Sequence, residues 1–266
     1  MLHTNRVSGE MSQFQVIETV PVEVSLKENP SFSIIIPVYN EAGIASKNLA
    51  ILETFLERES YELIVFDDCS IDDTYNELQN YVKQAKKPML LMHSNTWIGK
   101  GETIKRAIEA ASGEIVVFMD VDLSTNLKYI HELIRQVRQS EGLVIGQRSI
   151  VDRCTQGGLR VIMSLGYNVL VRLLLRTGIR DHQCGFKAMK VQVARQLMAK
   201  VRSNSFVFDT ELIVLARKSG IPIRQVEVKW IDDRPRKSNL KWLRRSFIMM
   251  KDLINIRRNM QMMKST

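Results

Sequence analysis

The feature that most constrains this chain is a strand–helix alternation running from residue 31 to residue 148, in which each apolar run ends on polar residues. Ile34 to Ile36 form a short β-branched run closed by Pro37, and helical spacing follows over residues 42–58. Leu63 to Phe66 meet Asp67 and Asp68, and Ser70 with Asp73 is the signature of a capping box for the next helix. Residues 88–94 read as a third strand, and residues 97–113 as a loop and a helix stopped by Gly113. Residues 114–120 read as a fourth strand, 127–139 as a helix and 142–148 as a fifth strand. Such alternation predicts an α/β fold with a mostly parallel central sheet flanked by helices. Ligands of these sheets bind beyond the carboxyl ends of the strands. Here those ends carry Pro37 to Glu41, Asp67 to Ser70, Asp120 to Asp122 and Arg148, a largely acidic edge.

The flanks differ from this core. Residues 1–30 are polar and mixed and read as an N-terminal extension, without the apolar stretch of a secretory signal. Residues 159–176 read as a long apolar helix carrying Arg160, Arg172 and Arg176, and residues 221–230 as a further strand. Residues 240–266 read as a basic amphipathic C-terminal helix, with Leu243, Phe247, Met250 and Ile254 on one stripe. That stripe is suited to an anionic membrane surface, to the domain core or to another subunit. No run of about 18 apolar residues occurs, so no membrane span is expected. The formal net charge of +9 suits an acidic partner. Its basic residues are not interleaved with aromatics as a nucleic-acid stacking surface requires. Cys69, Cys154 and Cys184 are widely spaced and odd in number, which fits a reducing, cytoplasmic setting better than a disulfide framework.

The chemistry concentrates in residues 113–126, "GEIVVFMDVDLSTN". Side chains two apart on a strand point the same way, so Asp120 and Asp122 can aim at one point in extended backbone. Two carboxylates that close repel unless a cation sits between them. Mg²⁺ or Mn²⁺ answers that need, taking one or two carboxylates and completing its shell with phosphate and water. A nucleoside diphosphate is the natural partner, and a helix N-cap by Asp122 or Ser124 is the plain alternative. Three enzyme classes compete for the motif. A haloacid-dehalogenase-like phosphatase would have its acidic pair on the first strand. A dinucleotide-binding enzyme would need a third glycine where Ile104 stands after Gly99 and Gly101, and a Walker A loop would need Ser or Thr where Gly101 stands. A nucleotide-sugar transferase would use the pair to hold its metal.

The ordered set "SIIIPVYNE", "LIVFDDCSIDDT", "GKGETI", "FMDVDLS" and "IGQRS" resembles the GT-A glycosyltransferases of the family 2 type. "RDHQCGFKAM", "FVFDTELIVLA" and "IPIRQVEVKWID" resemble dolichyl-phosphate glucosyltransferases and their prokaryotic polyprenyl-phosphate relatives. This resemblance covers about residues 31–240. It implies a GT-A domain over 31–239 that moves a hexose, glucose by preference, from a nucleoside-diphosphate sugar to a polyprenyl phosphate at a membrane surface. It implies a nucleotide pocket at Pro37, Tyr39, Glu41, Asp67, Asp68 and Asp120, and a metal on Asp120 and Asp122. It implies acceptor-phosphate contacts from Arg148, Arg160 and Ser164, and a donor-diphosphate loop with Arg234, Arg236 and Lys237. Asp122 and Arg160 would carry catalysis. A mannose synthase, a transferase with another acceptor, and a silent nucleotide-sugar or membrane binder are the alternatives. The residues themselves leave other uses open: Asp67 and Asp68 as a turn and helix cap, Arg160 as a snorkelling surface side chain, Asp209, Glu211 and Asp181 as caps or sugar contacts. His182 reads as structural and Cys184 as packed.

Overall fold

The computed structural model describes residues 30–149, 158–175, 177–231 and 250–259, with backbone alone over 158–165. Among these described residues, seven strands form one sheet: β1 (Phe32–Val38), β2 (Tyr61–Asp68), β3 (Met89–Ser94), β4 (Ile115–Phe118), β5 (Leu143–Arg148), β6 (Lys187–Lys190) and β7 (Ile223–Val228). Their order is β3-β2-β1-β4-β6-β5-β7. All pairings are parallel except those of β6, which runs antiparallel to both β4 and β5. The helices are α1 (Ala45–Phe55), α2 (Thr74–Val82), α3 (Lys100–Ala110), α4 (Tyr129–Ser140), α5 (Gly158–Leu175), α6 (Val191–Met198), α7 (Phe208–Lys218) and α8 over 250–259.

The near-continuous apolar strands are explained by burial on both faces. Along β1, Ile34 and Ile36 pack into a cluster with Leu49, Leu78 and Leu133, whereas Ile35 packs into the opposite cluster with Ile104, Phe118 and Phe208. Helices follow the same logic: α4 buries Ile130, Leu133, Ile134 and Val137 at helical spacing. Removing one such side chain, as in Ile35→Ala, costs about 2–5 kcal/mol.

This topology assembles the site. Parallel strands bring their carboxyl ends to one edge, and reversed β6 sends its amino end, Lys187, to that edge too. Lys187 pairs across from Phe118, the last residue of β4. Asn40, Cys69 and Leu123, just past the ends of β1, β2 and β4, have φ of 54°, 60° and 51°. Left-handed backbone is costly for Cys and Leu, and such strain gathers at functional edges.

Some sequence expectations are corrected. The fourth strand stops at Phe118, so Asp120 and Asp122 lie in a turn, with the Leu123 amide donating to the Asp120 carbonyl at 3.4 Å. The capping box does not form: Ser70 Oγ donates to Asp67, and Asp73 makes no cap bond to α2. Asp72 covers that helix start instead, accepting from the Thr74 amide at 3.1 Å. Helix α3 ends at Ala110, ahead of Gly113.

Candidate active site

Asp67 and Asp68 close β2 and are almost wholly buried. Strand register sets Asp67 beside His93. Its carboxylate accepts from His93 Nδ1 at 2.8 Å and from the Ser70 amide and hydroxyl. Tyr75 stacks on that imidazole with centroids 4.0 Å apart. Asp68 accepts from the amides of Ile98 and Gly99 at 2.8 and 2.9 Å, tying β2 to the entry of α3. Burial pushes the Asp68 carboxyl above its ordinary value, against the pull of those two amides, and Asp67 next door adds to the rise. Both side chains are therefore engaged by the protein. Tyr39 is exposed nearby, Pro37 and Glu41 are half-buried, and the Glu41 amide donates to Thr74 Oγ1.

The second pair is open. Asp120 keeps 49% of its side-chain surface exposed, and Lys100 Nζ stands 2.6 Å from its Oδ1. Asp122 Oδ1 accepts the Ser124 amide at 3.0 Å, which stiffens the turn. Burial would raise the Asp120 carboxyl, but the Lys100 ammonium overrides it and holds the group below its ordinary value. Lys100 moves the other way: burial pulls it down, while Asp120 and Asp209 hold it above the usual lysine value. Behind Asp120 lies the backbone of Gly185, where a Cβ would fall 2.2 Å from Oδ2. With the carboxylate in this position, glycine is the residue that fits without displacing it.

The loop over 177–186 is fastened on three sides. Arg148, at the end of β5, donates Nε and Nη2 to the two oxygens of buried Asp181 at 2.7 and 3.0 Å, and its guanidinium lies 5.3 Å from the Trp230 ring centre. Burial disfavours its charge, but Asp181 more than compensates. His182 is buried between Thr177 Oγ1 and Asn168 Oδ1 of α5. Buried Lys187 reaches Asp209 and the Cys184 carbonyl. Glu211 accepts the Arg202 and Ser203 amides. Burial lifts the Cys184 thiol to about 11, which keeps it an unreactive, packed group.

Of the expected site residues, the structure gathers Pro37, Tyr39, Glu41, Asp67, Asp68, Asp120, Asp122 and Arg148 at one sheet edge. Arg160 and Ser164 lie one turn apart in α5, and their side chains fall outside the described residues, as do Arg234, Arg236 and Lys237. The segment leading to that basic loop is placed: Ile231 donates to the Ser124 carbonyl at 2.8 Å, and Trp230 bridges to Thr125. Lys100 and Lys187 were missed as site-forming residues, and Asp181, read as a cap or sugar contact, instead anchors Arg148. Only an unusual signal pointed to Lys100, a cation opening a helix whose dipole disfavours it.

Among the described residues no group of three His, Cys, Asp or Glu could hold a metal alone. The two hard carboxylates of the turn suit Mg²⁺ or Mn²⁺ that receives its remaining ligands from phosphate and water. No described helix is long and apolar enough to cross a membrane. Helix α8 buries Leu253 and Ile256 and receives a hydrogen bond from Ser205 at Asp252, so one of its faces packs on the core. Met250 and Ile254, the described half of the expected stripe, stay exposed.

Residues 33–198 match the family described as Glycosyl transferase family 2. Glycosyltransferase AglD of Haloferax volcanii is 35% identical over 204 residues, which are 74% of this chain and 32% of that protein. The dolichyl-phosphate beta-glucosyltransferase of Dictyostelium discoideum is 31% identical over 246 residues, 86% of this chain and 75% of that one. The Drosophila melanogaster protein of the same name is 31% identical over 229 residues, covering 78% and 70%. Among solved structures, glucosyl-3-phosphoglycerate synthase from Mycobacterium tuberculosis in complex with UDP aligns with a TM-score of 0.63 and 20% identity, over 86% of this chain and 80% of that one. A complex of that synthase with Mn²⁺, UDP and phosphoglyceric acid aligns equally well, at 0.63. At that identity the likeness is one of fold, the GT-A fold.

Proposed function

The chain belongs to glycosyl transferase family 2, and from that membership we propose that it transfers glucose from a nucleoside-diphosphate sugar to a dolichyl-type polyprenyl phosphate. One observation carries the reading: an open acidic turn, Asp120 to Asp122, in a chain that covers 75% of a relative named as a dolichyl-phosphate beta-glucosyltransferase.

Asp120 and Asp122 would hold Mg²⁺ or Mn²⁺, and the bound ion would offset charge on the departing diphosphate. The turn that presents them is held by Ser124 and Thr125, which bond to residues 230 and 231. Arg234, Arg236 and Lys237 follow that anchored segment in the chain and would oppose the charge of the same diphosphate. The acceptor phosphate is already an anion near neutral pH and needs positioning rather than a general base. Arg160 and Ser164, one turn apart, suit that task, with the guanidinium fork matched to phosphate. Arg148 binds Asp181 through Nε and Nη2, so its part in placing the acceptor phosphate is to fix the loop behind Asp120. Asp67 and Asp68, held by their own hydrogen bonds, shape the wall of the nucleotide pocket beside Pro37, Tyr39 and Glu41.

The reaction would take place peripherally, on the cytoplasmic face of a membrane. Val169 and Leu173 of α5 and Met250 and Ile254 of α8 are exposed apolar side chains, and Arg172, Lys251, Arg257 and Arg258 are exposed cations of the same helices. Basic amphipathic helices of this kind favour anionic interfaces.

The test is a donor screen with the purified chain, Mn²⁺ and a short polyprenyl phosphate in anionic vesicles. UDP-glucose is expected to give the glucosyl lipid. Transfer from GDP-mannose alone would make the enzyme a mannose synthase. Donor binding without turnover under all conditions would overturn the enzymatic reading.

A further inference from the structure

Lys100 is in an electrostatically expensive place. It opens α3, where the helix dipole disfavours a cation. Only 16% of its side chain is exposed. What keeps it there is the acidic turn. Its ammonium is 2.6 Å from Asp120 Oδ1, with Asp209 and Asp122 contributing further attraction.

Its root is tied down by backbone contacts on either side. The Gly101 amide donates to the Asn204 carbonyl at 3.1 Å. A Cβ at Gly99 would fall 2.3 Å from the Asn204 carbonyl oxygen, and one at Gly101 would fall 2.5 Å from that of Ser203. Asp68 grips the amides of Ile98 and Gly99 from below. The four-carbon stem of lysine, by contrast, has free torsions and a point charge that can be re-aimed.

Asp120 is thus occupied on both sides. Oδ1 faces Lys100, and Oδ2 faces the backbone of Gly185. The surrounding network sets the carboxylates Asp120, Asp122, Asp181 and Asp209 against the cations Lys100, Arg148 and Lys187. One negative charge in excess is a poor inducement for a divalent ion, which must also displace an ammonium from the oxygen it needs. A diphosphate changes this. It supplies oxygen ligands for the ion and an anion to which Lys100 can turn.

We propose that Lys100 is a built-in counter-ion that occupies the acidic turn until a nucleoside diphosphate arrives, and so makes divalent-metal binding depend on the nucleotide. This rests on the donor and metal reading given above. Lys100 then passes from Asp120 to the diphosphate, where its charge opposes that of the leaving group. No bond is made or broken in the exchange; one ion pair replaces another.

Titration of the full chain with Mn²⁺, followed by the electron paramagnetic resonance of the free ion, tests this without turnover. It is run alone, with UDP and with GDP, on the wild type, Lys100→Gln and Lys100→Arg. The wild type and Lys100→Arg are expected to bind Mn²⁺ at least about tenfold more tightly with one of the nucleotides than without. Lys100→Gln is expected to bind nucleotide-free Mn²⁺ about tenfold more tightly than the wild type, and its nucleotide effect, now only that of the added phosphate ligands, is expected to shrink by about the same factor. Tight Mn²⁺ binding by the wild type alone overturns the proposal and leaves the donor reading intact, even where the Gln variant does not fold. A folded Gln variant with unchanged Mn²⁺ affinity does the same. Absence of Mn²⁺ binding by the wild type with either nucleotide overturns both.

Discussion

Asp67 and Asp68 close β2, and Asp120 and Asp122 follow β4, so two acidic pairs stand at one edge of one sheet. The first pair is buried, and its members are consumed by local donors: Ser70 and His93 for Asp67, the Ile98 and Gly99 amides for Asp68. The second pair is carried past the strand end into a turn, and Asp120 there is half open and balanced by a lysine rather than by backbone. Adjacent residues on a strand point to opposite faces, so each of Asp67 and Asp68 meets a different structural neighbour. Asp120 and Asp122 lie past the strand end, where Asp120 keeps half of its side chain open and Asp122 bonds the Ser124 amide of its own turn. The difference teaches that an acidic pair at a strand end is left open to a ligand set when the backbone leaves the sheet before the acids, as proposed for Asp120 and Asp122, and is used up as a joint when it does not.

The largest effect expected from this contrast is on turnover. Asp122→Ala should lower glucosyl transfer by roughly 10²–10³-fold with a melting temperature close to that of the wild type, read by transfer assay and calorimetry on the same samples. Near-normal turnover would remove Asp122 from the site and dissolve the contrast. Asp68→Ala should show the opposite balance. It strands two buried amides and should cost about 2–4 kcal/mol of stability, measured by denaturant titration. A variant that melts like the wild type but no longer binds nucleotide would place Asp68 with the ligands instead.

How much of this can be read in advance depends on how far apart in the chain the cooperating groups lie. The apolar runs of β1, β2 and β4 are local, and the alternation they form predicts the parallel sheet. The acidic ends are local as well, so the edge that holds the chemistry is legible. Strand β6 is not: "KAMK" is four residues with a lysine at each end and no apolar run. Lys187 is buried there because Asp209, 22 positions away, compensates it. Lys100 and Asp120 are 20 apart, and Arg148 and Asp181 are 33 apart. No periodicity announces such partners. The D-x-D pair is visible as a motif, but the turn that presents it arises from the Leu123 amide bonding to the Asp120 carbonyl, with Leu123 held at φ 51°. That conformation is one a leucine signature does not suggest.

Gly185 offers a smaller perturbation of the open pair alone. In Gly185→Ala the new Cβ would press on Asp120 Oδ2, the far end of a side chain that can yield. Stability should therefore fall by only about 1 kcal/mol. The displaced carboxylate should weaken transfer by about tenfold, seen as a lower kcat with the melting curve nearly unchanged. An unaltered kcat would mean that the position of Asp120 is not set by the loop behind it.

The finest test is the sign of the pH dependence, because Asp68 of the first pair and Asp120 of the second shift oppositely. Asp68 has its carboxyl raised by burial, so the folded state retains a proton that the unfolded chain has released. Its contribution to stability is full below the ordinary carboxylate value and is lost as pH rises through the raised folded value. Asp120 is depressed by Lys100 once the opposing burial is overcome. Its contribution is present above the ordinary carboxylate value and is lost as pH falls through the depressed one. Denaturant titrations across the acid range should therefore diverge. The stability deficit of Asp68→Asn relative to the wild type should shrink as pH rises past the ordinary carboxylate value. The deficit of Asp120→Asn should grow over the approach to that value from below and then level off. The second effect is the weaker of the two, since solvent screens a half-exposed pair. Parallel profiles for the two variants would show that both carboxylates sit in the same kind of environment, and that the distinction between a joint and a ligand set does not hold at this edge.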